Sequence, residues 1–324
     1  MIKNSARIPI KSNSEIVSRL LLSWIANLLP DNFIYYFFKF IKRFTNTALR
    51  KKTNPICTWD FSFNSQKMTL SNSSTLKTGT FSISHDVDYA SCYRYTKKLV
   101  ALDRRYGINS SYFLLTNGSY TLDKQTVFYI LDGGNEVALH GKNHNIALGH
   151  KSEKYISTFL DTSRKLLETI AGPVLGFRAP ALSVSPLLLN ILEKHRFSYD
   201  SSLCNSKHYS SFTPFYRPYI ISNKLDEKNG AAGLIEIPLT IQDSMILNDL
   251  GLKNNDIAKI FDHLIKLAKD YYLNLVINFH PSIVEKNIDV YEKIILQLKT
   301  SSLPNLKIED LIHHTSDDFQ SCCD

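Results

Sequence analysis

Residues 80–115, TFSISHDVDYASCYRYTKKLVALDRRYGINSSYFLL, hold a strand, a helix and a second strand in succession. Thr80–Ser84 is short and apolar-rich, as a buried strand is. Tyr93–Tyr106 carries the longer period of a helix, and Ser111–Leu115 (SYFLL) returns to strand. Strands separated by helices pair in parallel and put a helix against the sheet.

The alternation continues outward. Asp123–Leu131 reads as a helix with Asp123 as its cap, and Glu136–His140 (EVALH) as a strand. A long helix over Ser152–Ile170 precedes a strand at Val174–Phe177, and Ser185–His195 is a helix with Pro186 at its first position. Further strands are expected at Tyr219–Ser222, Leu234–Ile237, Leu273–Phe279 and Leu306–Ile308, with helices at Asn255–Asp270 and Ile288–Thr300. The class is α/β with a parallel sheet. Periodicity alone leaves a closed barrel and an open doubly wound sheet as equal readings, and both place their chemistry at the C-terminal strand ends.

His85-Asp86-Val87-Asp88 follows the first strand, His140 and His144 the third, Arg178-Ala179-Pro180 the fourth, and His280-Pro281 the strand LVINF. Each is a short motif that also arises by chance, and a lone histidine there is more often packed than functional. Their coincidence at four strand ends of one sheet carries the weight. Two imidazoles and a carboxylate make a facial metal site with open positions. A second carboxylate can act as base, a cation can keep it ionised, and a distant histidine can protonate a leaving amine. These are the parts of metal-assisted amide hydrolysis.

The order TFSISHDVD, GNEVALHGKNH, GFRAP, FSYDSS and LVINFHP resembles the polysaccharide deacetylases of the NodB-homology type (carbohydrate esterase family 4-like), from about Thr80 to about Asp310. The resemblance implies a distorted (β/α) barrel with an N-terminal helical extension. It implies Asp86 as catalytic base, Asp88, His140 and His144 as metal ligands, Arg178 as the base's partner and His280 as general acid. The cofactor implied is a divalent metal, Zn²⁺ foremost, with Co²⁺, Ni²⁺ or Mn²⁺ as alternatives, and the substrate an N-acetylated carbohydrate. Two departures stand out: Val87 separates carboxylates that are usually adjacent, as in a spaced DxD subset, and Gly141 replaces a usual Ser or Thr. Asp200 and Asp243 both remain candidates for the acid that orients His280, and Tyr199 and the segment near Pro238 for the pocket lining. A deformylase, another amide hydrolase, and a non-catalytic glycan-binding barrel are the alternatives.

The chain has 324 residues and a net charge of +8. Residues 1–52 contain ten basic side chains and two acidic ones, so 10 − 2 = +8 resides there and the rest is balanced. A balanced body argues against a nucleic-acid partner. Residues 15–29 and 33–44 read as two helices split at Pro30-Asp31-Asn32. In the second, Phe37, Phe40, Ile41 and Phe44 face away from Lys39, Lys42 and Arg43. That pattern fits either an interfacial membrane helix or a hairpin packed on the main domain, and neither apolar run is long enough to span a bilayer. The expected organisation is an extension and linker over 1–75, the barrel over 76–312 and a tail over 313–324. Five scattered cysteines and no visible export signal suggest a cytoplasmic location, with contact through residues 15–52 to the inner membrane face and a lipid-linked glycan precursor as substrate.

Overall fold

The computed structural model describes residues 78–205, 216–221, 233–249 and 252–314. The N-terminal helices expected before residue 45 and the tail thiols Cys322 and Cys323 lie outside these residues. Among the described residues no helix is long and apolar enough to cross a membrane.

The first unit is β1 (Thr80–Val87), α1 (Ala90–Arg105) and β2 (Ser110–Leu114). It continues with α2 (Lys124–Asp132), β3 (Glu136–Leu139), α3 (Glu153–Ala171), β4 (Gly176–Phe177), α4 (Pro186–Lys194) and β5 (Tyr199–Asp200). Then come β6 (Tyr219–Ile220), β7 (Ile235–Glu236), β8 (Ile241–Gln242), α5 (Asn254–Tyr271), β9 (Asn274–Phe279), α6 (Pro281–Val284) and α7 (Ile288–Thr300). The capping residues act as their chemistry dictates: Asp123 accepts from the Thr126 amide and Ser185 from the Leu188 amide, satisfying helix-start donors.

The sheet order is β6-β7-β5-β4-β3-β2-β1-β9-β8, parallel throughout except where β6 meets β7. Its closure depends on one run. Ile235–Glu236 pairs with β5 while Ile241–Gln242, a few residues on, pairs with β9. Leu239 bonds to Leu203 and Thr240 to Val276, so the run changes neighbours just past Pro238 and joins the two edges into a distorted barrel. Periodicity had left the barrel and the open sheet undivided; this crossing selects the barrel.

Strand alternation sorts the core into layers. Phe113, Ala138, Tyr199, Ile235, Ile237 and Val276 pack inside the barrel with Ile308 and Leu311. Leu99, Ile277, Phe261 and Ile295 are among those packing outside β1 and β9, under the helices. Leu306–Ile308 forms no strand; a single bridge joins Asn305 to Phe81, and the segment turns into the last helical turn, Glu309–His314. Its alternating apolar residues plug the barrel floor instead of extending the sheet.

Candidate active site

β1 extends through Val87, so Asp86 lies inside the strand and only Asp88 beyond it. Residues two apart on an extended strand face the same side. Asp86 and Asp88 therefore share the inner face at the barrel mouth, while Val87 joins the outer core. His85 also turns outward, where its Nε2 lies 3.0 Å from Asp103 Oδ2.

His140 follows β3 directly. Its Nδ1 lies 2.9 Å from the Arg178 carbonyl, which can only accept, so Nδ1 carries the proton and Nε2 is left for the site. That Nε2 is 3.1 Å from Asp88 Oδ1, and His144 Nε2 is 3.3 Å from Asp88 Oδ2. His144 reaches this place from a left-handed backbone, φ 51°, in the loop after Gly141. The potential ligand atoms of Asp88, His140 and His144 all lie within 4.8 Å of one another. Two atoms bound about 2.1 Å from one ion would be separated by about 3.0 Å in an octahedral and about 3.4 Å in a tetrahedral arrangement. The two carboxylate–imidazole separations and the N₂O donor set fit a divalent first-row cation.

Arg178 follows β4 and is fully buried across the barrel. Its Nη1 donates to Asp86 Oδ1 at 2.9 Å, and its other donors reach the Ser201 carbonyl and hydroxyl. The guanidinium sits 4.0 Å from the centre of the Phe113 ring, a cation–π contact from below. Burial pushes the Asp86 carboxyl up, but Arg178 foremost, then His140 and His280, bring it below its usual range.

His280 follows β9. Its Nδ1 is 2.6 Å from Asp243 Oδ1, its backbone N–H donates to Asp243 Oδ2 at 2.7 Å, and its Nε2 is 3.5 Å from Asp88. Burial alone would lower the imidazole pKa; the Asp243 and Asp88 carboxylates raise it well above the ordinary value. Of the two acidic candidates, Asp243 is the one that touches His280. Asp200 bonds to Ser202 and neighbours Glu236 instead. Tyr199 does not line the mouth: it is fully buried in the floor, donating to Glu136.

The six residues singled out from sequence thus converge on one end of the barrel. Asp243, one of the two acids left open from sequence, completes the set together with Asn278 and Ser84, which were not assigned there. Asn278 donates from Nδ2 to Asp86 Oδ2 at 2.8 Å, and Ser84 donates to Asn278 Oδ1 at 3.1 Å. A period-two count back from His280 and Asp86 finds Asn278 and Ser84. At the rim, the Tyr89 hydroxyl lies 3.4 Å from His144 Nδ1.

Residues 75–199 match the family model for polysaccharide deacetylase. No curated protein sequence matches the chain. Among solved structures, the chain is similar to a Mycobacterium smegmatis protein described as a polysaccharide deacetylase, at 18% identity and a TM-score of 0.56, over 74% of this chain and 91% of that one. It is also similar to a family CE4 pseudoenzyme from Bacillus anthracis, at 13% identity and a TM-score of 0.50, over 74% of this chain and 67% of that one. At such identities the likeness is one of fold. Because a protein described as a pseudoenzyme shares that fold, the backbone does not distinguish catalyst from non-catalyst, and the argument for activity has to rest on side chains.

Proposed function

We propose that the chain is a metal-dependent hydrolase that removes an N-acetyl group from an amino sugar of a glycan. The observation that carries this reading is the convergence at one barrel mouth of an Arg-clamped carboxylate, an Asp-His-His cluster and an Asp-supported histidine. Asp88, His140 and His144 are the residues that would hold the cation, which when bound polarises an amide carbonyl and acidifies water. Asp86, kept ionised by Arg178, accepts the proton of the attacking water. As the water oxygen bonds to the carbonyl carbon and the C–N bond breaks, His280 delivers the Nε2 proton to the departing amine. Asp243 holds that imidazole protonated and aimed. The products are acetate and a free amino sugar.

The finer assignments rest on sequence pattern. The spaced carboxylates suit a strand that stays extended through Val87, Zn²⁺ suits the N₂O donor set, and the basic aromatic extension suits a lipid-linked precursor at the cytoplasmic membrane face.

The test is acetate release from N-acetylated oligosaccharides and lipid-linked N-acetyl sugars by protein loaded with one equivalent of Zn²⁺, beside an Asp88→Ala/His140→Ala variant. The expected result is release by the wild type, and loss of both metal and release in the variant. Stoichiometric metal with no release from any N-acyl sugar would favour the binding-protein reading, and release of formate alone would favour the deformylase.

A further inference from the structure

Asp86 is held at both oxygens, and the second holder, Asn278, lies on β9 two residues before His280 and has no part in the proposed proton transfers. We propose that Asn278 is a positioning residue for the Asp86 base, acting with Arg178 to fix the plane of its carboxylate; the inference deepens the deacylase reading and rests on it.

The amide orientation follows from the neighbours. Asn278 Oδ1 is 3.1 Å from Arg178 Nη1, and a guanidinium only donates, so an oxygen must occupy that position. The Nδ2 group is thereby directed at Asp86 Oδ2, 2.8 Å away. Ser84 closes the ring: its hydroxyl accepts from Arg178 Nη1 at 2.9 Å and lies 3.1 Å from Asn278 Oδ1. Ser84, Arg178 and Asn278 are all fully buried, so water does not compete for these bonds.

The physical need for a second donor lies in the aspartate side chain. Rotation about its Cβ–Cγ bond is broad, and a single donor on Oδ1 leaves the carboxylate free to swing about that contact. A donor on each oxygen fixes the plane. Each oxygen has two acceptor positions, so both retain one for the attacking water. Displacing a reacting group by a fraction of an ångström acts on the chemical step more than on binding.

Asn274 provides the control. It is four residues earlier on β9 and equally buried, and its Nδ2 donates to Thr80 Oγ1 at 2.7 Å, away from Asp86. In Zn²⁺-loaded protein, Asn278→Ala is expected to lower kcat by about 10- to 100-fold with KM and metal content unchanged. Asn274→Ala should lower thermal stability while leaving kcat in place. Asn278→Leu keeps the size, brings no charge and removes the donor facing Asp86, and it should show the same kcat loss if the alanine variant folds poorly. Unchanged kcat in both Asn278 variants, or an equal loss in Asn274→Ala, would overturn the proposal. Crystal structures of wild type and Asn278→Leu give a readout independent of turnover. A rotated Asp86 carboxylate is expected, and one that keeps its plane would overturn the role of Asn278. If the wild type releases nothing from any N-acyl sugar, the functional reading fails while this structural comparison still judges Asn278.

Discussion

An extended strand turns alternate side chains to opposite faces, and that rule made the site readable one residue at a time. Asp86 and Asp88 were legible because two carboxylates, two residues apart, follow an apolar-rich stretch that reads as a strand. Asn278 and Ser84 obey the same rule, yet an asparagine and a serine are common enough in a buried strand that nothing in their identity marks them. Asp243 was legible only as one of two acids, with Asp200, because it precedes a π-helical segment, Ser244–Asp249, and meets His280 only through the barrel's closure. Asp243→Asn should keep one of the two contacts with His280 and remove the carboxylate charge. We expect kcat to fall on the order of 10²-fold with bound metal unchanged, as measured by steady-state kinetics alongside metal analysis. Gly141 has its own explanation. Its φ is +102°, and a Cβ there would approach Pro180 Cγ to 3.3 Å, so the missing hydroxyl reflects the backbone. Gly141→Ala should destabilise the protein by about 1–3 kcal/mol in urea unfolding, the usual cost of a strained backbone conformation; no loss would show that the loop relaxes cheaply.

At the scale of elements, the long helices and the strands β1, β2, β3 and β9 were legible because each repeats its period several times. The short strands β4, β6 and β7 fall inside the expected stretches Val174–Phe177, Tyr219–Ser222 and Leu234–Ile237, whereas β5 and β8, two residues each, contain too little of any period to be recognised, and Leu306–Ile308 mimicked a strand because alternate residues there face the barrel floor. Two buried carboxylates tie the elements together. Asp103 of α1 accepts from His85, Ser110, Tyr112 and, on α7, Tyr291, all buried. Removing it strands several donors at once, so Asp103→Ala should cost about 3 kcal/mol or more by chemical denaturation. Glu136 anchors the floor, accepting from Ser111, Tyr199 and the Glu309 amide. Burial, with help from Glu309, pushes its carboxyl from 4.5 up to about 7. Between those values the folded state holds a proton that the unfolded chain has lost, so this group's contribution to stability is full below about 4.5 and falls as pH rises towards 7. The expected contrast is between wild type and Glu136→Gln. Relative to its value at pH 5, the variant should gain on the order of 3 kcal/mol over wild type by pH 8. A pH-independent difference would refute the assignment.

Across the whole molecule, charge and chemistry are segregated. Residues 53–324 are charge-balanced and the site is built from buried, mutually neutralising groups, whereas residues 1–52 carry the entire surplus of +8. We propose that this surplus, confined to one aromatic-rich segment of the sequence, directs the chain to an anionic surface. Each basic side chain near such a surface contributes about 1 kcal/mol, so Lys39, Lys42 and Arg43 together contribute about 3 kcal/mol, on the order of 10²-fold in partitioning. The 324-residue chain should therefore float with vesicles containing phosphatidylserine at low salt, and less so as the Debye length shrinks. Neutralising the three cations as Lys39→Gln/Lys42→Gln/Arg43→Gln should abolish most of that flotation while leaving turnover of a soluble N-acetyl oligosaccharide unchanged. Equal flotation of both proteins, or none by either, would return the extension to the packed-hairpin reading. Loss of soluble turnover in the variant would mean that the segment supports the barrel itself, and the separation of location from chemistry would fail with it.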